Sequence, residues 1–102
     1  MAIWARLWGG QSVGAAEARR RVAAGAIIVD VRSPDEVARH PVAGALTIPL
    51  PELAERLGEI PADRDVLTLC HSGVRSAVAA GRLADAGIRA TSIRGGTLRY
   101  TP

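Results

Sequence analysis

Two short apolar runs constrain the fold more than anything else in the chain. Residues 26 to 31, "AIIVDV", and residues 65 to 69, "DVLTL", are rich in apolar and β-branched residues and bounded by turn signals. Runs of that composition mark strands covered on both faces, as in a parallel sheet between layers of helix. The segments around them have helical character, punctuated by Pro and Gly. "AAEARRRVAAG" contains strong helix formers and stops at Gly25. "SPDEVARH" opens with Ser33 as N-cap, Pro34 at the first helical position and acids in the first turn, and Pro41 ends it. "GALTIPL" reads as a brief strand and "PELAERLGEI" as a helix begun by Pro51. A further helix runs from Arg75 or Ser76 through Asp85, closed by Gly87; "ATSI" makes a last strand, and "TLRYTP" takes no assignment. This alternation predicts an α/β domain built on a small, mostly parallel sheet.

The chain has 102 residues and 48% hydrophobic content, which fits one domain able to bury roughly two-thirds of the surface its unfolded form exposes. Residues 1 to 10 stand apart as an N-terminal extension, and the domain proper spans residues 11 to 102. Within the extension Ile3, Trp4, Leu7 and Trp8 fall on one helical face with Arg6 off it, a pattern that favours packing onto the domain or a partner over attachment to a membrane surface. "MAIWARLWGG" is too short in apolar length for a signal sequence or a membrane span. A single cysteine cannot form an internal disulfide, so nothing points to an oxidising compartment and a cytoplasmic location is expected.

The net charge is +3 and all thirteen basic residues are arginines, interleaved with acids rather than run together. Only Trp4, Trp8 and Tyr100 could stack on bases, so no nucleic-acid partner is expected. His40, His71 and Cys70 are the only soft metal ligands, and the last two are sequence neighbours that rarely serve one ion together, so no metal site is expected. Residues 66 to 102 carry five Arg against Asp85 alone, which places the cysteine in the basic part of the chain.

In parallel α/β sheets, ligands bind beyond the carboxyl ends of the strands. "IIVDVR" delivers Asp30 and Arg32 to such an end, and "VLTLC" delivers Cys70. Between that strand and the next helix lie Cys70, His71, Ser72, Gly73, Val74 and Arg75. A loop of this composition can curl its backbone N–H groups inward around a sulfur. Gly73 is free to take a positive φ, and the helix N-terminus adds partial positive charge. Such a cradle stabilises a thiolate and makes it nucleophilic near neutral pH, and Arg75 offers a planar fork to an oxyanion. A lone Cys ending an apolar strand is often only a small buried hydrophobe, but here the Gly, the Arg and the helix start reverse that expectation.

Four motifs in order carry a resemblance to the rhodanese-like sulfurtransferases. "DVRSPDE" looks like their strand-to-helix signature and "GALTIPL" like their Gly-Ala and Ile-Pro segment. "CHSGVRS" looks like their C-x-x-G-x-R-S active-site loop and "IRGG" like the paired glycines near their end. The resemblance implies a rhodanese-like fold, a small mostly parallel sheet flanked by helices on both faces, and no cofactor. It implies that Cys70 carries a persulfide, taking sulfur from thiosulfate or a persulfide donor and passing it to cyanide, a thiol or a protein acceptor. The chain departs from the pattern at "RHPVAGA", where His40 comes one position early and Ala43 replaces the usual proline; at Tyr100, where an indole is common; and at His71, where Arg or Gln is frequent.

Among the supporting residues, Asp30 and Arg32 read as a pair bracing the cysteine loop rather than as catalytic groups. His71 reads as a solvent-facing loop residue, with a general acid or base role as the alternative. Glu36 and Ser76 read as first-turn helix residues. Three functions remain open: a sulfurtransferase enzyme, a non-turnover persulfide carrier or regulatory module, and a phosphatase or arsenate reductase. The last is disfavoured by loop length, since such relatives place five residues between Cys and Arg and this chain has four. Oligomeric state is left open.

Overall fold

The computed structural model describes residues 11–101, so the expected helix through Trp4 and Trp8 lies outside the described residues. Its elements in chain order are β1 (Ser12–Val13), α1 (Ala15–Ala23), β2 (Ile27–Asp30), α2 (Pro34–Arg39) and β3 (Leu46–Thr47). Two 3-10 turns (Leu50–Glu55 and Leu57–Glu59), β4 (Val66–Leu69), α3 (Val74–Asp85), β5 (Ala90–Ile93) and α4 (Gly96–Tyr100) complete the chain. The two apolar runs pair directly, with Ile27 opposite Val66 and Asp30 opposite Leu69. The whole sheet is parallel in the order β1-β5-β4-β2-β3.

Continuous apolar strands need cover on both sides, and the core is accordingly split in two. Val29, Val31, Val66, Cys70 and Ala90 pack with Ala79, Ala80 and Leu83 of α3 and with Leu53 of the first 3-10 turn. Ile28, Leu67, Leu69 and Ile93 pack with Ala18 of α1, with Tyr100 of α4 against them. Alanines at the contact positions of α1 and α3 let both helices lie close to the sheet. Among the described residues, no helix is long and apolar enough to cross a membrane.

One expectation needs correction, and two further elements were not assigned from the sequence. "PELAERLGEI" does not form an α-helix. Its bonds are of the 3-10 type, Glu52 N–H to Pro49 O, Arg56 N–H to Leu53 O and Ile60 N–H to Leu57 O, at 2.8, 3.1 and 3.1 Å. Apolar pairs three apart, Leu50 with Leu53 and Leu57 with Ile60, suit that tighter winding, and Gly58 weakens a continuous helix. "TLRYTP" contributes most of the helix α4, started by the glycine pair. Finally, β1 is a two-residue edge strand whose neighbour Gln11 accepts from Ser92 N–H, too short to leave a pattern in the sequence.

Candidate active site

Cys70 directly follows β4, so the strand itself carries it to the carboxyl edge of the sheet. Its side chain is 1% exposed, beneath the loop rather than on it. Gly73 is the N-cap of α3, with φ of 110° in the left-handed region that favours glycine, and has no side chain to cap the helix. The sulfur takes that role. Gly73 N–H donates to Cys70 Sγ at 3.1 Å and Ser76 N–H, in the first turn of α3, donates to it at 3.4 Å. The amides that a helix start leaves without partners are thus pointed at a potential thiolate. Ser76 Oγ lies 3.6 Å from the sulfur, and Thr68 Oγ1 holds the same turn to β4 by donating to Ser76 O at 2.7 Å. Burial is the largest single influence and opposes the thiolate. The Ser76 N–H and hydroxyl and the N–H groups of Gly73 and Ser72 together outweigh it, holding the Cys70 thiol below its usual pKa.

The loop's carbonyls are held from the other side. Thr97 N–H donates to Cys70 O at 2.9 Å and Leu98 N–H to His71 O at 3.3 Å. Gly96, at φ 57°, must be glycine for this approach, because a Cβ there would collide with the carbonyls of Cys70 and His71. With its carbonyls turned toward α4, the loop is left with N–H groups facing the sulfur.

Arg75 is not free. Its Nη1 and Nη2 donate to the two carboxylate oxygens of Glu36 at 2.6 and 2.8 Å. The Arg75 guanidinium, reinforced by the Ser33 N–H, holds the Glu36 carboxyl well below the usual carboxylate range. Glu36 closes the capping box with Ser33 as expected of a first-turn acid, but its bond to Arg75 also ties α2 to the cysteine loop. Asp30 and Arg32 form a fully buried ion pair, Nη2 to Oδ2 at 2.7 Å, with 0% and 2% side-chain exposure. This pair does not brace the cysteine loop as expected. Its remaining side-chain bond runs from Arg32 Nη2 to His40 O at 2.8 Å, fixing the segment after α2 where the chain departs from the family pattern. His71, Ser72 and Val74 are exposed; the His71 ring Nδ1 lies 3.4 Å from Thr97 Oγ1, and its carbonyl makes the loop's contact with α4.

Sequence reasoning missed the reach of Glu36 to Arg75 across 39 positions, which leaves no local signal. It also missed Ser92, whose hydroxyl is buried 2.8 Å from Ser76 Oγ. A signal did exist there: a serine inside a strand covered on both faces must find a hydrogen-bond partner.

A parallel α/β domain with a cysteine seated in a helix-capping loop defines a class of thiol-dependent transfer proteins. The comparison with known proteins narrows it: the rhodanese-like domain family model matches residues 14–101, and the chain belongs to that family. A sulfurtransferase of Allochromatium vinosum is 39% identical over 75 residues, covering 72% of this chain and 70% of its own. The reduced CoADR-RHD protein of Bacillus anthracis is 37% identical with a TM-score of 0.82, covering 88% of this chain but 16% of that one. A rhodanese-related protein of Thermoplasma volcanium is 29% identical with a TM-score of 0.81, covering 88% of this chain and 89% of its own. The family and its sulfurtransferase relatives support sulfur transfer as the general chemistry of the chain.

Proposed function

We propose that the chain is a sulfurtransferase that works through a Cys70 persulfide. The observation that carries this reading is the sulfur's seat, with two backbone N–H groups at 3.1 and 3.4 Å and a hydroxyl at 3.6 Å. In the first half-reaction the thiolate attacks the outer sulfur of thiosulfate. A bond forms between Cys70 Sγ and that sulfur, the bond to the sulfonate sulfur breaks, and sulfite leaves with the electron pair. A persulfide donor reacts in the same way and releases a thiolate. In the second half-reaction cyanide or a thiolate attacks the outer sulfur, and Cys70 leaves as thiolate, ready to react again. A reducing, cytoplasmic setting suits a cysteine that must stay unpaired.

A protein-borne thiol is the second acceptor class, favoured by what surrounds the loop. Val74 and Leu98, which follow Gly73 and the Gly96–Thr97 contact, are 71% and 63% exposed, and Arg99, next to Leu98 in the chain, is exposed as well. Large exposed apolar side chains gathered at a reactive thiol suit a macromolecular partner. Incubation with thiosulfate should add one sulfur to the intact mass, and cyanide should remove it. No added sulfur from either thiosulfate or a persulfide donor overturns the proposal. Rapid multiple turnover with cyanide or glutathione identifies an enzyme for small acceptors, whereas a stable persulfide released only to protein thiols identifies a dedicated carrier.

Arg75 offers an oxyanion less than an unpaired guanidinium would, since Glu36 holds both of its Nη groups. Arg75→Ala is therefore expected to lower kcat/KM for thiosulfate by roughly tenfold, the low end of the loss for one hydrogen bond to a charged group. A small neutral alkyl persulfide should be spared. Equal losses with both donors, together with a raised Cys70 pKa, would assign Arg75 to holding the loop instead of orienting the donor.

A further inference from the structure

Beneath Cys70 lies a pair of hydroxyls whose proton directions can be counted. Ser76 is 0% exposed and Ser92 is 2% exposed, and their Oγ atoms are 2.8 Å apart. Ser76 Oγ has one proton and three neighbours: Ser92 Oγ at 2.8 Å, Gly73 O at 3.1 Å and Cys70 Sγ at 3.6 Å. Gly73 O can only accept. Among the described residues, Ser76 is the hydrogen-bond partner of the Ser92 hydroxyl, and no buried side-chain oxygen is left unpaired. If Ser76 gave its proton to Ser92, the Ser92 proton would have no acceptor and the cysteine sulfur would lose a donor. With Ser92 donating, every group is satisfied.

We propose that Ser92 is a positioning residue for Cys70: its hydroxyl donates to Ser76 Oγ and holds Ser76 as a two-position donor that follows the charge of the sulfur. With Cys70 as thiol, the S–H points at Ser76 Oγ and Ser76 donates to Gly73 O. With Cys70 as thiolate, Ser76 turns its proton to the sulfur, and the Ser92 bond polarises that donor, since hydroxyls in series strengthen one another. Without Ser92, the shorter path to Gly73 O competes better for the same proton and the thiolate loses support. The charged groups around the site are Arg75 with its partner Glu36, the Asp30–Arg32 pair and the exposed His71, and a change at Ser92 alters none of them. The inference rests on Cys70 being the reacting group.

The test is the pH dependence of Cys70 alkylation by iodoacetamide, which reads the thiolate whether or not sulfur is transferred. Ser92→Ala, close to isosteric, should raise the apparent pKa so that about threefold less thiolate is present at neutral pH, the size expected of a polarising partner one bond removed. The rate should match the parent protein at pH values where both are fully ionised. Ser92→Thr, which keeps the hydroxyl, should restore the parent curve. In a Ser76→Ala background the Ser92→Ala change should have no further effect. An unchanged pKa in folded Ser92→Ala protein overturns the proposal, and so does a Ser92 effect that persists without Ser76. A Cys70 that alkylates normally yet accepts no sulfur would instead overturn the sulfurtransferase reading and leave the relay standing.

Discussion

Cys70→Ser is expected to abolish sulfur transfer and leave the fold intact. Every donor around the sulfur serves a negative charge there: the Gly73 and Ser76 amides, and the Ser76 hydroxyl once the thiol ionises. A serine hydroxyl has no accessible anion at neutral pH, and these few neutral bonds cannot create one. The shorter side chain still finds donors in place, so the buried hydroxyl is not stranded. Thermal unfolding should therefore change little while the thiosulfate-dependent gain of one sulfur disappears. Residual turnover above about a few per cent of the parent protein, free of contaminating enzyme, would mean that another group carries the sulfur; the effect expected of losing the nucleophile itself is complete loss.

The parts of this site that could be read in the sequence are those fixed by near neighbours. The runs around Ile28 and Leu67 demanded cover on two faces, and the two-sided core supplies it. Ser33, Pro34 and Glu36 form a capping box within four residues, and its geometry follows from helix chemistry alone. The cysteine loop was legible for the same reason, since Gly73 and the start of α3 sit within a few residues of Cys70. The contacts that escaped detection join distant segments. Glu36 meets Arg75, Arg32 meets the carbonyl of His40 instead of the loop, and the Gly96 turn closes over Cys70 O. The 3-10 turns were misread because propensity favours an α-helix over "PELAERL", whereas the packing of Leu53 and Ile60 against the core selects the tighter winding.

The largest effect on stability is expected from Arg32→Leu. Asp30 is fully buried and its carboxylate is satisfied by Arg32 alone: Oδ1 accepts from the backbone N–H and Nε at 3.1 and 3.0 Å, and Oδ2 accepts from Nε and Nη2 at 3.1 and 2.7 Å. Removing the guanidinium strands a buried charge, which typically costs about 3 to 5 kcal/mol, and also releases the His40 carbonyl. Urea unfolding should show the unfolding free energy fall by that amount, read as a lower midpoint with little change in slope. The double change Asp30→Leu with Arg32→Leu should recover much of the loss, because two apolar side chains leave no uncompensated charge, although Arg32 N–H then loses its acceptor. Sulfur transfer by the folded fraction should persist in both variants at low temperature, since neither side chain bonds to the cysteine loop. Full stability in Arg32→Leu would show that water or a rearranged group reaches Asp30, and loss of transfer at full stability would return Asp30 and Arg32 to the chemistry rather than to the scaffold beneath it.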